Sequence, residues 1–390
     1  MIAKKSVLRR MAFFAQRILL HISYCIARIR TTRKSKPISW VVGVEEIAAC
    51  VKYISEAIPN SCSVSLAANP FYDFPYQYCL VGHPGLLTTL RRIAIGPILL
   101  GRLAARAQGF LYVGASGFLL DYDQRAFEFN FLSKRQIRIA CFFCGSDIRS
   151  PRLMRELERE MQLENIATYL PQLSSPDNFN LIDNEKRRVA EVAERHARVI
   201  FTASVDQKGY FTRKTYPYLY FYPDEKFHRN PDKFHGPTRI RVVHAPTNQA
   251  IKGTQLVRAA VAKLRRENYQ FDYIELIGVK NTVVLETLRS AHIVLNEFYA
   301  FVPGLFGVEA MASYCVLLTS ADEEIERDLP RGSNRAWVVT KYYEIYDRLK
   351  EQLDHPESLA AQAELGHQWA LEHGATSNSG RRIREALDAS

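Results

Sequence analysis

The most distinctive spacing of chemically active residues lies in the segment Gly304-Leu-Phe-Gly-Val-Glu309-Ala-Met-Ala312. A glycine stands where a helix is expected to begin after a loop, and a carboxylate follows about one and a half turns later. Helix N-termini bind phosphate through free N–H groups, and glycine lets a diphosphate approach the backbone. The carboxylate can accept hydrogen bonds from ribose hydroxyls. Gly304, Leu305 and Glu309 are therefore candidate nucleotide-binding residues. The alternative is a core helix with a solvated glutamate.

Lys252 is a further candidate for binding phosphate. Together with Gly253 it follows the predicted strand Arg239–His244. Lysine is a compact charge suited to phosphate, and at the head of the next helix it could reach a diphosphate from the side opposite Gly304. A Lys-Gly pair alone is usually a surface turn. After the first strand of such a domain, with the glycine–glutamate segment later in the same domain, it predicts a diphosphate site.

These residues must be positioned by two series of short apolar strands that alternate with helices. The first series runs from Trp40 to Thr202 and the second from Arg239 to the chain end. Between them, Pro217–His235 is rich in Tyr, Pro and Asp and is the predicted linker. Alternation of this kind argues for parallel sheets covered on both faces, in which ligands bind at the carboxyl ends of strands. The prediction is an α/β chain with two Rossmann-like domains facing across a cleft, divided as 1–36, 37–222 and 238–390.

Three helices of the first domain are predicted from the same pattern, at Glu45–Ile58, Leu86–Ala107 and Asn184–Arg198. The first would carry two acidic residues in its first turn, where they complement the helix dipole. The second is apolar and basic, and Gly96-Pro97 should kink it.

The charge of the chain is concentrated at its N-terminus. The formal net charge is +11, and residues 1–36 contain ten Lys/Arg and no acid, which leaves +1 for the rest. Because a nucleic-acid binder usually carries its basic patch on the folded domain, we expect no nucleic-acid partner. No apolar run reaches the roughly 18 residues of a spanning helix. Instead, apolar residues recur at helical spacing, which predicts a basic amphipathic helix on an anionic membrane surface. They are Phe13, Phe14, Ile18, Leu19, Ile22 and Ile26. A disordered basic leader is the alternative.

A second stretch, His83–Leu120, is also basic, apolar and free of acid up to Leu120. It lies in the first domain, so it is a second candidate for contact with the membrane. The alternative is that its helix packs on the sheet and leaves its arginines in solvent.

The seven cysteines are odd in number and scattered, which argues against a disulfide framework and for a reducing compartment. Cys141 and Cys144 have the CxxC spacing but stand alone in an apolar run. Buried thiols are the expectation, and a zinc or redox role is the alternative. His83 and His244 are loop histidines for which a structural role is expected.

With these motifs in place, the segment from Arg239 onward resembles the donor-binding domain of GT-B glycosyltransferases of family four. Lys252-Gly253 matches the family's Lys-Gly diphosphate motif, and Gly304 with Glu309-Ala-Met-Ala312 matches its glycine and Glu-Ala-Met-Ala signature. Ala291–Leu295 takes the place of the family's "ADI" strand, with His292 where Asp is usual. The stretch from His355 to Leu387 resembles the closing helices that cross back to the first domain.

The first domain resembles the family more weakly. Cys144-Gly-Ser-Asp-Ile-Arg149 is similar to a G-x-D-x-R turn of polysaccharide-building relatives. Two departures stand in the second domain: Phe301 occupies the position of the family's first glutamate, and Pro246 that of a frequent arginine. Glu297 lies nearby but not at the family's spacing.

The resemblance implies a retaining glycosyltransferase that takes a sugar from a nucleotide diphosphate sugar. Lys252 and the N–H groups at Gly304 would stabilise the departing diphosphate, without an obligatory metal and without a cofactor. Asp147 and Arg149 would face the cleft as further catalytic candidates; Asp147 would orient an acceptor hydroxyl, or else cap the following helix. The only Asp-x-Asp, Asp121-Tyr-Asp123, lies in the other domain.

The expected acceptor is a lipid-linked sugar or a polysaccharide at the cytoplasmic face of the membrane, to which the protein would be peripheral. Two alternatives stay open. One is a catalytically inactive GT-B scaffold in cell-surface polysaccharide assembly, which the Phe301 and Pro246 departures favour. The other is a sugar-nucleotide epimerase of the same fold, against which the basic amphipathic N-terminus counts.

Overall fold

The structure is a computed structural model that describes residues 2–30, 36–67, 74–80, 86–120, 122–170, 173–236 and 238–389, apart from the side chains of residues 2–8 and 86–90. The helices are α1 (Ile2–Arg30), α2 (Cys50–Ala57), α3 (Leu86–Ala104), α4 (Ala126–Ser133), α5 (Pro151–Met161), α6 (Pro176–His196), α7 (Thr254–Arg266), α8 (Asn281–Ser290), α9 (Gly304–Ala312), α10 (Ile345–Asp354), α11 (Leu359–Gly374) and α12 (Thr376–Asp388). The strands are β1 (Ile38–Val44), β2 (Cys62–Ser65), β3 (Tyr78–Cys79), β4 (Ala107–Val113), β5 (Arg138–Phe142), β6 (Val199–Thr202), β7 (Tyr216–Pro217), β8 (Ile240–His244), β9 (Phe271–Glu275), β10 (Ile293–Leu295), β11 (Val316–Thr319) and β12 (Val338–Val339).

Each half of the chain forms one parallel sheet, as the alternating pattern predicts. The first sheet has the strand order β3-β2-β1-β4-β5-β6-β7, and the second has the order β12-β11-β10-β8-β9. All paired strands run parallel, for example β1 with β4 and β8 with β10. Central strands such as β10 and β11 are buried along their whole length, which explains their continuous apolar sequences.

Helix α1 packs along α3 on the first domain, and one buried glutamine joins them. Pro97 lies inside α3 and has no N–H to give to the carbonyl of Ile93 one turn earlier. Gln16 supplies that bond, with Nε2 3.2 Å from Ile93 O, and its Oε1 accepts from the N–H of Leu120 at 2.9 Å. Gln16 is only 1 % exposed. The N-terminal helix is therefore an integral part of the first domain.

The opposite side of α1 is an exposed apolar surface. The buried residues of the helix are Phe13, Gln16, Leu20 and Ser23. At 100° per residue, the exposed apolar residues lie on the side diametrically opposite, and we call them the outer stripe. The outer stripe consists of Met11, Phe14, Ile18, Ile22, Cys25, Ile26 and Ile29. The predicted amphipathic helix is present, although Phe13 packs inward. No described helix has the length and apolarity needed to cross a bilayer.

Helix α3, in contrast, packs into the first domain along much of its length. Leu99, Leu100 and Leu103 are buried in the core between α1 and the sheet. Arg92 donates from Nη2 to two backbone carbonyls at 3.0 Å, so it is part of the fold. The packing on the sheet that was given as the alternative is therefore observed, although Arg92 is not left in solvent. Contact of this stretch with the membrane stays a prediction, and His83 lies outside the described residues. The helix ends at Ala104, earlier than predicted, because β4 begins at Ala107.

Helix α2 begins at Cys50 rather than at the predicted Glu45. The carboxylate of Glu46 accepts hydrogen bonds from the N–H groups of Val51 and Lys52, at 3.2 and 3.1 Å. These are two of the N–H groups that the first turn of a helix leaves unpaired. The acidic residue thus precedes the helix and caps it. Helix α6, conversely, begins eight residues before the predicted Asn184, at Pro176.

The two domains are connected twice. The predicted linker contains the end of β7, the buried residues Leu219–Tyr222 and two 3-10 turns before β8. At the other end of the chain, α12 returns to the first domain, as the resemblance implies. Its residues Ile383 and Leu387 are buried in the core beside α2, and Arg384 donates from Nη1 to the carbonyl of Ala57.

Candidate donor site at the carboxyl edge of the second sheet

The loop after β8 places Lys252 at the head of α7. Asn248 organises this loop, because its carbonyl accepts from the N–H of Lys252 at 3.1 Å and its Oδ1 from that of Ala250 at 3.1 Å. Gly253 then adopts a φ of +71°, a left-handed conformation that favours glycine, and α7 begins at the next residue. The predicted Lys-Gly motif therefore forms the tight turn that directs the lysine toward the sheet edge.

Gly304 opens α9 at the same edge, as predicted. Its φ is +63°, a left-handed conformation that favours glycine, and a Cβ built on it would stand 2.8 Å from Oε1 of Glu297. Leu305, the next candidate, is half-buried and packs against the core of the second domain. The helix N-terminus thus lies directly against a carboxylate of the chain itself.

Glu309 lies farther along α9 and is almost fully buried. Its Oε1 accepts from Nδ2 of Asn281, the first residue of α8, at 3.0 Å. Burial raises the pKa of Glu309 to about 7, while the bond from Asn281 and the charges of Lys226 and Lys252 lower it. The glutamate is therefore held by a neighbouring amide, which was not anticipated from the sequence.

Glu297 is the site residue that sequence reasoning missed. It is the second residue after β10, and its Oε2 lies 2.8 Å from Nζ of Lys252; the side chains of Glu297 and Lys252 are 7 % and 12 % exposed. Asn296 Oδ1 is 3.4 Å from the same Nζ. Burial raises the pKa of Glu297, and Lys252 acts against that rise. Its position at the carboxyl end of a central strand could have identified it as a site residue, because ligands bind at these strand ends in parallel sheets.

The first-domain candidates occupy a different environment. Asp147 accepts from the N–H of Cys144 with Oδ2 at 2.7 Å, and burial raises its pKa to about 7. It does not cap α5, because Ser150 does so by accepting from the N–H of Leu153 at 3.1 Å. Asp147 is therefore a turn residue at the carboxyl end of β5, and its catalytic role stays a prediction.

Arg149 is buried in an ion pair. Its Nε and Nη2 donate to the carbonyl and the carboxylate of Asp206, both at 2.6 Å. The other oxygen of Asp206 accepts from the N–H of Phe301 in the second domain at 2.8 Å. Arg149 therefore supports a contact between the domains, and in this arrangement its two paired donors are not directed at an open site.

The surroundings of Phe301 explain why this position departs from the glutamate of the family pattern. Its side chain is 2 % exposed and packs with Met154 and Leu157 of α5 and with Tyr299. A glutamate at this position would be an uncompensated charge in an apolar cluster. Phe301 therefore packs between the two domains. The domains face each other with the carboxyl edges of their sheets.

The remaining candidates are structural or lie elsewhere. His244 is buried, donates from Nδ1 to the carbonyl of Leu295 at 2.7 Å and accepts at Nε2 from Thr254 Oγ1 at 2.9 Å. Burial lowers its pKa to about 4, so the ring is neutral. His292 accepts from the N–H of Arg241 and donates to a backbone carbonyl. Cys141 and Cys144 are buried free thiols, as expected. Asp121 lies outside the described residues.

Comparison with known proteins places this arrangement among solved structures. No protein-family model and no curated protein sequence matches the chain. Sucrose-phosphate synthase from Thermosynechococcus elongatus matches with a TM-score of 0.60 and 11% identity, over 91% of this chain and 100% of that one. HepE of Anabaena, in complex with UDP-glucose, matches with a TM-score of 0.55 and 12% identity, over 90% and 100%. WaaG, a glycosyltransferase involved in lipopolysaccharide biosynthesis, matches with a TM-score of 0.51 and 12% identity, over 90% and 100%.

At these identities the likeness establishes the architecture. The two parallel sheets with facing carboxyl edges agree with the prediction made from the alternating pattern, and the returning C-terminal helix agrees with what the family resemblance implies. The chain has the GT-B fold.

Proposed function

We propose that this chain is a retaining glycosyltransferase that moves a sugar from a nucleotide diphosphate sugar to a lipid-linked or polysaccharide acceptor. The observation that carries the proposal is the convergence of Lys252, Gly304 and Glu309 at one edge of the second sheet. Lys252 reaches Glu297, Glu297 abuts Gly304, and Glu309 lies about one and a half turns along the same helix. WaaG, one of the solved structures with this fold, is a glycosyltransferase. This supports glycosyl transfer as the proposed reaction.

In this proposal the second domain binds the leaving diphosphate. Negative charge develops on its oxygens as the bond to the sugar breaks, and Lys252 with the N–H groups at the start of α9 stabilises that charge. Glu309, held by Asn281, accepts from the ribose hydroxyls. Because a fixed ammonium and a helix N-terminus meet the diphosphate, the transfer requires no metal.

The acceptor side is the first domain, and the outer stripe of α1 is proposed to hold it on the membrane. Six exposed apolar side chains and Cys25 share one side of α1, with Ile29 85 % and Phe14 60 % exposed. Arg10, Arg17 and Arg28 flank the stripe on one side of the helix. Apolar side chains reach the acyl boundary while arginines meet anionic headgroups, which suits a peripheral protein of the inner membrane face.

The function is tested by incubating the full-length protein and membranes with a panel of radiolabelled nucleotide sugars. We expect one sugar to be transferred to a lipid-extractable or polymeric product, with retention at the anomeric carbon, and transfer to persist in EDTA. Lys252→Ala should abolish transfer and weaken binding of the matching nucleoside diphosphate by about 1.5–3 kcal/mol, as for a lost charge-assisted contact. Unchanged nucleotide affinity in both Lys252→Ala and Glu309→Ala would refute the donor site.

The second candidate is an inactive scaffold of the same fold. Phe301 packs between the domains instead of facing a donor, and Lys252 is paired with a carboxylate of the chain. A scaffold would bind nucleotide sugars or glycan without releasing a nucleoside diphosphate. Nucleotide binding without turnover across the whole panel, with membranes present as acceptor source, would favour it over the enzyme.

A further inference from the structure

The carboxylate of Glu297 lies where an anionic ligand of Lys252 would lie. Its Oε2 is 2.8 Å from Nζ of Lys252, a charge-assisted hydrogen bond. Its Oε1 is 2.8 Å from the position of a Cβ on Gly304, the first residue of α9. One carboxylate therefore pairs with the ammonium and lies beside the first residue of the helix, the two features that attract a diphosphate.

This arrangement is enclosed and charged on several sides. Glu297 is 6 % exposed. Besides Lys252, the charged groups that act on it are Asp206 and Arg149 of the first domain, and Glu297 in turn acts on the Tyr220 hydroxyl at the domain junction. Such a pair is not a surface contact, because the side chains of Lys252 and Glu297 are only 12 % and 7 % exposed.

We propose that Glu297 is a resident counter-ion of the donor site, whose carboxylate a nucleoside diphosphate must displace from Lys252. The inference rests on the proposed function, since it concerns the same site. Two anions compete for one ammonium, so the resident carboxylate lowers the affinity for the diphosphate. In exchange, the buried Lys252 is never left without a partner when the site is empty.

A neutral side chain of the same shape tests the inference. In Glu297→Gln the competing charge is gone, and we expect nucleoside diphosphates to bind about tenfold tighter, the gain of one charge-assisted contact without competition. Calorimetry on the full-length protein at pH 8 would use UDP, GDP, ADP and inorganic pyrophosphate. Pyrophosphate carries the diphosphate without a base, so the gain should appear there as well as with the preferred nucleotide.

Two further variants distinguish displacement of the Glu297 carboxylate from a general effect of the lost negative charge on ligand affinity. Glu275→Gln removes one negative charge from the same domain, where Glu275 pairs with Arg258 at 2.5 Å, and should leave the affinities unchanged. Combining Glu297→Gln with Lys252→Met should erase the gain, because the counter-ion acts through that lysine. Circular-dichroism melts of each variant verify that it is folded.

The outcomes distinguish this inference from the function on which it rests. If the unsubstituted protein binds a nucleoside diphosphate and Glu297→Gln binds it equally or more weakly, the counter-ion role is wrong while the donor site stands. A gain that survives loss of Lys252 also overturns the role. If neither the unsubstituted protein nor Glu297→Gln binds any of the four ligands, the donor site itself fails and the inference with it.

Discussion

Glu309 is a buried acid whose pKa lies near neutrality, and this has a consequence for stability. Its pKa is about 7 in the folded chain because burial disfavours the charged form. Between about pH 4.5 and 7 the folded chain keeps this proton while the unfolded chain releases it. The unfolded state then binds fewer protons, so the free energy of unfolding falls as pH rises through this window.

We therefore predict that Glu309→Gln has a higher free energy of unfolding than the unsubstituted protein. The difference should grow as pH rises from 5 to 7 and stay constant above pH 7. The difference should reach on the order of 3 kcal/mol, from a shift of about 2.5 pK units. Urea unfolding midpoints at pH 5, 6, 7 and 8 would measure it. Glu286→Gln, on an exposed face of α8, is the control. A difference that does not depend on pH would contradict the assignment.

At the residue scale, the sequence predicted site positions well where the backbone conformation favours one residue type. Gly253 and Gly304 both have positive φ, and their helices begin as predicted. Lys252 and Glu309 lie at the expected edge. What spacing could not show was the partner of each charge: Glu297 for the lysine and Asn281 for the glutamate. Those contacts depend on how loops from different strands meet in space.

At the scale of elements, α1 has two apolar sides with different tasks. One side is buried on α3 and the outer stripe is exposed. Deleting the N-terminus would therefore uncover the core of the first domain, and it is a poor test of membrane binding. Substitutions on the outer stripe alone separate the two tasks.

We predict that Ile18→Asp combined with Ile22→Asp abolishes sedimentation with anionic vesicles while leaving the melting temperature within a few degrees. Both residues are about half exposed, and a carboxylate at this position would lose apolar burial and repel anionic headgroups. Leu181→Asp, at an exposed leucine of α6 in the same domain, should bind vesicles normally. If the full-length protein does not bind anionic vesicles even at low salt, the membrane surface is wrong and a soluble acceptor becomes the better proposal.

The hydrogen bond from Gln16 of α1 to the carbonyl of Ile93 in α3 gives a second prediction at this scale. Gln16→Leu leaves the carbonyl of Ile93 and the N–H of Leu120 without their partner. Each buried unsatisfied group costs about 1–3 kcal/mol, so we expect a loss in the free energy of unfolding of at least about 2 kcal/mol. Chemical denaturation measures it, with Gln108→Leu on the exposed side of β4 as the control. An unchanged midpoint would mean that α1 is not anchored by this residue.

Elements were predicted best where their signal is periodic and apolar. Strands β8 and β10 lie within the predicted ranges Arg239–His244 and Ala291–Leu295, because a parallel strand buried on both sides reads as a short apolar run. The two-residue strands β3 and β7 were not predicted. Helix starts were less predictable, and α2 shows why. Glu46 resembles a first-turn acid in sequence, but it reaches its two N–H partners from outside the helix.

At the scale of the whole molecule, a compact polar network ties the two sheet edges together. Asp206 binds Arg149 on one side and the N–H of Phe301 on the other. Glu326 of the second domain accepts from the N–H groups of Val205 and Asp206, at 2.9 and 2.8 Å. The apolar cluster around Phe301 lies beside this network. The domain arrangement is thus held by this network and cluster, in which Arg149 and Phe301 stand at motif positions while Asp206 and Glu326 were not predicted from the sequence.

Asp206→Ala should therefore act on the whole molecule. It leaves Arg149 buried and unpaired, which costs about 3–5 kcal/mol. We expect a lower melting temperature together with a larger radius of gyration in small-angle scattering, because the domains separate more easily. Asp232→Ala, at an exposed aspartate of the linker, should change neither. A destabilised variant with an unchanged radius would place the effect inside the first domain alone.

The returning helix α12 also determines when the first domain can be completed during synthesis. Ile383 and Leu387 fill the core beside α2, yet they are made about 170 residues after β7. At roughly 5–20 residues per second, that part of the core waits for about 10–30 s before its last side chains arrive. During this interval the nascent first domain exposes an apolar groove along α2. The first domain is therefore completed only after the second domain has been made, and chaperone contact in that interval should be concentrated on α2.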